Sequence, residues 1–303
     1  MSLARIALLV VGVVACSTAA PMIRASQTAP ELVAAYRLLI ASVLLAPAYF
    51  RARKRYPDTS LLTLCRQAGP AALLLAIHFW SWNIGVRMTA IVNASLIVNL
   101  VPVAMPFVVW FMLRERISRA ETRGTALALG GTILLAAADY HISLHCFFGD
   151  MICFASMLAF ATYLAWNRRA HLPTIWLYVP LVYLFAGLIC LVAGVASGGS
   201  ILVTSQREGL LLVGLALVPT IIGHTLLNVA MRALRSQLVA ITNLGQFIPA
   251  GVLAWIAFGE MPARLFPLAA TLVIVGALIA ILGHRDPRAY RQCERGNGTS
   301  TER

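Results

Sequence analysis

Residues 83–115, NIGVRMTAIVNASLIVNLVPVAMPFVVWFMLRE, recur in altered form as residues 228–260, NVAMRALRSQLVAITNLGQFIPAGVLAWIAFGE, at a constant offset of 145 residues. The identical positions include Asn83 and Asn228, Arg87 and Arg232, Trp110 and Trp255, and Glu115 and Glu260. The same offset pairs Arg24 with Arg169 and Gly131 with Gly276. Tryptophan is rare in this chain, so matches of this kind in one ungapped register indicate an internal duplication.

The composition indicates a membrane protein. The chain has 303 residues, of which 60% are hydrophobic and only 12% are charged, and its mean hydropathy is +0.83. A soluble domain has about 45–50% apolar and about 25% charged residues. The net charge of +13 would suggest nucleic acid in a soluble protein. Here the arginines lie in short gaps between apolar segments, so we expect them to orient the chain in the bilayer and expect no nucleic-acid partner.

Ten apolar segments are long enough to cross a membrane, which requires about 20 residues each. They lie at about residues 3–23, 30–50, 68–87, 90–113, 121–138, 147–167, 173–197, 209–230, 236–258 and 263–283. The predicted fold class is therefore an all-α membrane protein with ten transmembrane helices. The expected domains are residues 1–138 (helices 1–5), residues 146–283 (helices 6–10) and a polar, disordered cytoplasmic tail over residues 284–303.

The charge distribution predicts that the two halves are inverted. Because five spans per half is an odd number, the second half must enter the membrane in the opposite orientation. With a cytoplasmic N-terminus, 19 of the 24 basic residues fall in inner segments and four in outer loops, and Arg37 alone lies within a span. The loop after span two carries five basic residues, whereas its counterpart after span seven carries only Arg207. We therefore predict two inverted five-helix repeats, both termini in the cytoplasm and a location in a bacterial inner membrane.

Several motifs resemble those of a known family. The run from Pro102 through Trp110 to Glu115, followed by Gly124 and Gly130-Gly131, resembles the EamA-type repeat of the drug/metabolite transporter superfamily. The second copy runs from Gln246 through Trp255 to Gly259-Glu260 and Gly276, and Gly149-Asp150 resembles the usual start of a second repeat. This chain departs from the pattern at Arg114, where the family has glycine, and at Phe247, which stands opposite Pro102. The resemblance implies a ten-helix, two-repeat transporter, often an exporter of amino acids or related small metabolites.

Polar side chains inside the spans are the candidate substrate-binding residues, because polar groups in hydrocarbon usually face the interior of a bundle or a wet cavity. They are His78, Trp82, Asn83, Ser95, Asn99, His224, Asn228, Asn243 and Gln246. Spans three and eight are repeat partners, as are spans four and nine, so we expect these residues to converge near the pseudo-two-fold axis at the membrane midplane. The alternative is that the amides only form hydrogen bonds between neighbouring helices.

Four residues are candidates for coupling to an ion. His78 and His224 could exchange protons near neutral pH, Glu31 lies near the outer rim, and Arg37 is the cation within a span. Arg37 could extend towards the interface, pair with a carbonyl or bind a substrate carboxylate. Uniport is the alternative to ion coupling. For Glu115 and Glu260, at helix ends beside Arg116, Arg119 and Arg264, we expect interfacial ion pairs.

No catalytic residue, metal site or cofactor is predicted. The chain lacks the Walker, GxGxxG, HExxH and GxSxG patterns. The linker between the halves contains metal-like residue types, at Asp139, His141, His145, Cys146 and Asp150, but we expect no metal site there. The predicted function is secondary transport by alternating access, with a small-molecule substrate and the lipid bilayer as partners and a homodimer as an open alternative. Two rival functions are a membrane-embedded enzyme acting on lipid-linked substrates and a structural or regulatory membrane partner.

Overall fold

The computed structural model describes residues 3–138, 143–170, 172–203 and 205–283. These residues form helices and contain no strand. Ten helices, numbered α1 to α10 in chain order, are Leu3–Ala25, Pro30–Arg55, Leu61–Met88, Ile91–Leu113, Arg119–Ala138, Leu144–Arg169, Ile175–Ala196, Gln206–Ala233, Ser236–Phe258 and Phe266–Leu282. The predicted cytoplasmic tail, residues 284–303, lies outside the described residues, and so do residues 139–142.

Eight of these helices are long and apolar enough to cross a membrane. The other two, α5 and α10, coincide with the fifth and tenth predicted spans. The α5 helix is less apolar because its first turn contains Glu121 and lies among arginines. The α10 helix is apolar but has only 17 residues, so it is slightly short. The α3 helix begins at Leu61, seven residues before the predicted span. Its first turns contain Arg66 and Gln67, so the helix continues beyond its apolar part.

Prolines account for breaks at corresponding places in α4 and α9. The α4 helix consists of Ile91–Val98 and Val101–Leu113. Pro102 has no N–H to donate to the carbonyl of Val98, where the first segment ends. The α9 helix consists of Ser236–Leu244 and Phe247–Phe258. Pro249 likewise has no N–H to donate to the carbonyl of Gly245, which accepts instead from the backbone N–H of Ile248 at 3.1 Å. At both breaks, polar residues lie in the middle of an otherwise apolar helix.

Three other helices are also irregular. The α1 helix is divided at Thr18 into Leu3–Ser17 and Ala19–Ala25. The α7 helix begins with a 3-10 turn at Ile175–Leu177 and continues as Val179–Ala196. The α8 helix comprises Gln206–Leu215, a π-helix at Ala216–His224 that contains Pro219, and Thr225–Ala233. A π-helical segment widens the helix and is often found at functional sites.

Glycines bring α5 and α10 into close contact. A Cβ atom on Gly124 would lie 2.4 Å from the carbonyl oxygen of Gly276, and a Cβ atom on Gly131 would lie 2.8 Å from that of Ala269. The 145-residue offset converts Gly124 to Ala269 and Gly131 to Gly276. The 145-residue offset therefore exchanges the two contacts, which is the pattern expected for a crossing at a pseudo-two-fold axis.

We predict that Gly124→Ala destabilises the protein by about 1–3 kcal/mol, because the added methyl group would overlap a backbone carbonyl. Gly130→Ala is the matched control on the same helix, since a methyl group added there would have no atom within 4 Å apart from the neighbouring backbone of its own helix. The control is expected to be neutral or to stabilise the helix by up to about 1 kcal/mol. Thermal unfolding of the purified proteins in detergent checks this prediction, and equal melting temperatures for the two variants would contradict the close crossing.

Candidate functional site

A cavity of about 30 Å³ lies between the two halves of the chain. A water molecule needs roughly 10–15 Å³ measured in this way, so the space holds about two waters. The lining residues are Cys16, Ser17, Ala19, Ala20, Arg37, His78, Phe79, Trp82, Ser95, Val98, Asn99, Phe160, His224 and Gln246. Six of the nine predicted substrate-binding residues thus lie around one cavity, together with Arg37.

His78 is held against α6. Its Nδ1 atom lies 2.8 Å from Oγ of Ser156, and that hydroxyl donates to the carbonyl oxygen of His78 at 2.9 Å. Because the hydroxyl proton is used in this way, Nδ1 carries a proton and donates to Oγ of Ser156. The ring stacks on Phe160 with centroids 4.5 Å apart.

His224 lies at the end of the π-helix and faces the same aromatic group. Its ring centroid lies 6.0 Å from that of His78, 4.9 Å from that of Phe79 and 5.4 Å from that of Phe160. Within the part of the chain that the structure describes, its buried Nδ1 atom has no hydrogen-bond partner. The two histidines therefore lie on one wall of the cavity, contributed by opposite halves of the chain.

Amide side chains link the breaks of α4 and α9. The Nδ2 atom of Asn243 donates to Oδ1 of Asn99 at 2.6 Å, and Nδ2 of Asn99 donates to the carbonyl oxygen of Ser95 at 2.7 Å. Gln246 donates to Oδ1 of Asn243. Asn243 is fully buried behind the cavity wall, whereas Ser95, Asn99 and Gln246 line the cavity. The amides beside the breaks in α4 and α9 thus join the two halves next to the cavity.

Two predicted substrate-binding residues lie elsewhere. Asn83 donates to the carbonyl oxygen of Pro30 at 2.8 Å, at the start of α2. Asn228 donates to the hydroxyl group of Tyr163 at 2.8 Å and accepts from Asn167 at 2.5 Å. Neither lines the cavity. Both are buried and connect neighbouring helices, which is the alternative role considered for the membrane amides.

The predicted coupling residues Glu31 and Arg37 lie in different surroundings. Glu31 is at the start of α2 and accepts a hydrogen bond from Nε1 of Trp80 at 3.0 Å. Arg37 is completely buried and lines the cavity. Its Nε atom donates to Oγ1 of Thr220 at 2.9 Å, and its guanidinium carbon lies 4.1 Å from the ring centroid of Phe79. Arg37 therefore places a cation in the cavity wall.

Sequence reasoning did not identify four of the residues that form or support this wall. They are Phe79, Phe160, Ser156 and Thr220. Pro219, which precedes Thr220 within the π-helix, is the local sequence signal, although a proline in a helix indicates only a kink. The aromatic residues carried no distinguishing signal, because phenylalanine is common throughout an apolar bundle.

A set of polar contacts surrounds Arg24 at the end of α1. Arg24 donates to the carbonyl oxygen of Val86 at 2.8 Å and to that of Thr89, and it lies 3.6 Å from Oε1 of Glu260. Glu260 in turn accepts from the backbone N–H of Ile91 at 3.1 Å, at the start of α4. These five residues form what we call the Arg24 cluster. It connects α1, the end of α3 and the start of α4 to the segment that follows α9.

The Arg168 cluster repeats these contacts in the other half. Arg168 donates to the carbonyl oxygen of Met231 at 2.8 Å and to that of Leu234, and it lies 3.1 Å from Oε2 of Glu115. Ser236, at the start of α9, donates to Glu115 at 3.2 Å. Four of these five residues are related to the Arg24 cluster by the 145-residue offset. The Arg24 cluster thus has an equivalent built from the other repeat.

The 145-residue offset makes Arg169 the counterpart of Arg24 in the sequence, but in the structure the counterpart is its neighbour Arg168. Arg168 makes the equivalent contacts, and Arg169 instead lies over the ring of Trp166 at 5.8 Å. The carboxylates also have different partners from those expected. Sequence neighbours were predicted, but Glu115 and Glu260 pair with arginines of the opposite half. Position along the chain did not reveal these partners because they come together only when the halves pack.

The two clusters lie at opposite ends of α4 and α9. The α4 helix begins beside Glu260 and ends before Glu115, and α9 runs in the reverse sense between them. At 1.5 Å per residue, the 23 residues of α4 separate the clusters by roughly 35 Å. Arg235 adds to the Arg168 end by contacting Glu121 at 2.7 Å and Glu115 at 4.0 Å. Each end of the bundle therefore has a polar connection between the halves.

The linker with metal-like residue types contributes no metal site that the structure describes. Among the described residues, no group of three histidine, cysteine, aspartate or glutamate side chains could hold a metal ion. Asp139 and His141 lie outside the described residues. His145 and Cys146 lie in the first turn of α6, where the Ser143 hydroxyl accepts from the backbone N–H of Cys146 at 3.1 Å.

Comparisons with known proteins agree with this architecture. The model of the EamA-like transporter family matches residues 3–137. No curated protein matches the chain at a significant level. One solved crystal structure, described only as that of a protein, superposes with a TM-score of 0.74 at 17% identity, and the match covers 92% of this chain and 96% of the other. That likeness concerns the fold alone. Over residues 3–137, the chain is therefore similar to the EamA-like transporter family.

Proposed function

We propose that the chain is a secondary transporter that exports amino acids or similar small metabolites across a bacterial inner membrane. Ten transmembrane helices would form two inverted five-helix repeats that move against each other around the central cavity. The observation that carries this proposal is the cavity itself. It is buried between the halves, and its polar groups come from the first half, as Arg37, His78 and Asn99, and from the second, as His224 and Gln246. Transporters with inverted repeats bind their substrates at such an interface.

Two observations support the inverted arrangement. The α5–α10 contacts and the two arginine clusters are each exchanged by the same 145-residue offset. The distribution of basic residues favours a cytoplasmic N-terminus. With that orientation, the Arg24 cluster lies at the outer end of the bundle and the Arg168 cluster at the cytoplasmic end.

The small cavity and the two clusters support alternating access. Ligand pockets measure roughly 300–1,000 Å³, whereas this cavity measures about 30 Å³, so a substrate would enter only when the halves move apart at one end of the bundle. Breaking the Arg24 cluster would open the cavity outward, and breaking the Arg168 cluster would open it to the cytoplasm. Such a transition moves one repeat against the other while the binding residues stay between them.

The two cavity histidines are the proposed proton carriers, if export is coupled to protons. Their ring centroids are 6.0 Å apart and they come from opposite halves, so a change at one ring alters the field at the other. Glu31 is hydrogen-bonded to Trp80 at the rim and has no contact with this pair. We therefore assign coupling to His78 and His224 rather than to Glu31.

Counterflow in liposomes tests the proposed function. Purified protein is reconstituted into vesicles loaded with one unlabelled compound, and uptake of the same compound in labelled form is measured. L-leucine and L-phenylalanine are tested first, and the other small metabolites of a panel follow. Vesicles without protein and vesicles with heat-denatured protein are the controls. We expect uptake above both controls for at least one of a panel of small metabolites chosen from differences between cells with and without the protein. A panel that gives no protein-dependent uptake would contradict the proposal.

A further inference from the structure

Arg37 carries a charge that the protein itself does not neutralise. Among the described residues that line the cavity, it is the only arginine, lysine, aspartate or glutamate. Its side chain is fully buried within α2. A buried cation in a membrane helix is costly unless it is paired, and such residues usually take part in function.

The surroundings of Arg37 fix the guanidinium without satisfying it. The Nε atom donates to Oγ1 of Thr220, and that hydroxyl donates to the carbonyl oxygen of Leu215 at 2.7 Å across the π-helix. Phe79 supports one face of the group at 4.1 Å. Within the described ranges, Nη1 and Nη2 have no hydrogen-bond partner, and no carboxylate forms an ion pair with Arg37. The free edge of the guanidinium is therefore held in place with two donors available.

The two other roles considered for Arg37 do not fit this geometry. A side chain that extends to the interface would be exposed, whereas Arg37 has no exposed surface. Pairing with a backbone carbonyl is not seen among the described residues, because Nε of Arg37 donates to a hydroxyl group and its two Nη atoms have no partner there. A ligand that enters the cavity is the remaining partner.

Resting on the proposed transport function, we propose that the substrates carry a carboxylate, which Arg37 binds through Nη1 and Nη2. Two parallel N–H donors match the two oxygens of a carboxylate in a bidentate pair. One positive charge balances one negative charge, and the other lining residues include no further lysine or arginine that a phosphate dianion would require. Phe79, Trp82 and Phe160 provide apolar and aromatic surface for the rest of the molecule.

This inference predicts strong discrimination by charge among molecules of the same shape. A site with buried donors rejects an analogue that cannot pair with them. The wild-type protein should accept L-leucine and L-phenylalanine and reject their amides, as well as 3-methylbutylamine and phenethylamine, which lack the carboxylate. Loss of one partner from a buried charge pair corresponds to an affinity at least roughly 30-fold weaker for the amides and amines.

The experiment measures ligand-induced thermal stabilisation of wild-type protein in detergent, and counterflow in liposomes, with each acid, amide and amine of this panel. Three variants follow: Arg37→Gln, Arg37→Lys, and Arg87→Gln as the control. Arg87 lies on α3, donates to the carbonyl oxygen of Thr28 at 2.8 Å and does not line the cavity. We expect Arg37→Gln to bind the acids roughly 30-fold more weakly or worse. Arg37→Lys keeps the charge but loses the planar fork of the guanidinium, so its affinity for the acids should lie between those of the wild type and Arg37→Gln.

The melting temperature without ligand separates binding from a structural role. Removing an unpaired buried charge should leave the melting temperature of Arg37→Gln unchanged or raise it. Arg87→Gln removes a hydrogen bond to the backbone, so it should lower the melting temperature and keep the affinity for acids. Lower stability of Arg37→Gln with undiminished affinity would overturn the inference.

The wild-type ligand series decides the question even if a variant does not fold. Amides or amines that bind and exchange as well as the acids would overturn the carboxylate assignment and leave the transport function standing. Counterflow of none of the three classes, together with no flux of any other metabolite, would overturn the transport function and this inference together. Preference for the acids, lost in Arg37→Gln, supports both.

Discussion

Glu260→Gln is expected to favour conformations open at the Arg24 end of the bundle, and Glu115→Gln is expected to favour conformations open at the Arg168 end. Each carboxylate pairs with an arginine of the opposite half and also contacts the start of α4 or α9. The amide removes the charge while keeping the shape of the side chain. A coupling of about 1–3 kcal/mol would change the ratio of the two open states by roughly 5- to 150-fold in opposite directions.

Distances between spin labels placed on the two halves at each end of the bundle would measure these populations. Arg119→Gln is the matched control, because Arg119 is exposed, lies close to Glu115 in sequence and belongs to none of the described ion pairs. The double variant Arg24→Glu/Glu260→Arg should partly restore the wild-type distribution. Shifts in the same direction for both glutamate variants would be inconsistent with clusters that act at opposite ends.

Asn99→Ala should reduce the rate of transport far more than Asn93→Ala. Asn99 accepts from Asn243 at 2.6 Å in a fully buried position, so its loss leaves the Nδ2 group of Asn243 without a partner beside the cavity. A buried unsatisfied donor costs roughly 1–3 kcal/mol, which corresponds to a rate roughly 5- to 150-fold lower if the pair must be intact during transport.

Asn93 provides a fair comparison because it lies on the same helix, six residues before Asn99, and does not line the cavity. Initial rates of counterflow in liposomes, corrected for the amount of protein inserted, give the measurement. The double variant Asn99→Ala/Asn243→Ala should lose less than the sum of the single losses, because both residues belong to one hydrogen-bonded unit. Equal loss in Asn93→Ala and Asn99→Ala would remove the special role of the amide link.

The helices of this protein follow closely from its sequence, because a long apolar segment in a bilayer must form a helix to satisfy its backbone hydrogen bonds. The repeat offset also pointed to the charged residues of both arginine clusters, by pairing Glu115 with Glu260 and Arg24 with Arg169, the neighbour of Arg168. A sequence alignment does not show how far a long arginine side chain extends, so it does not distinguish Arg168 from Arg169. The ion-pair partners could not be predicted either, because they come together only when the two halves pack.

The candidate site could be predicted only in part. Hydrophobicity marks a polar residue in a span as exceptional, but it does not show which face of the helix is turned inward. Asn83 follows His78 by five residues and therefore lies on another face of α3, where it binds Pro30. Asn228 lies one turn beyond His224, where Tyr163 and Asn167 of α6 fill the space that the cavity would occupy. The π-helix that positions Thr220 had no reliable sequence signal other than Pro219.

Access to the cavity from the two sides of the membrane tests the central claim most directly. Gln246→Cys is placed in a protein whose native cysteines have been replaced, and the reconstituted protein is treated with a membrane-impermeant thiol reagent from one side at a time. We predict that the thiol reacts from both sides and that a transported substrate slows both reactions. A thiol that reacts from one side only, under conditions in which transport continues, would contradict alternating access to this cavity.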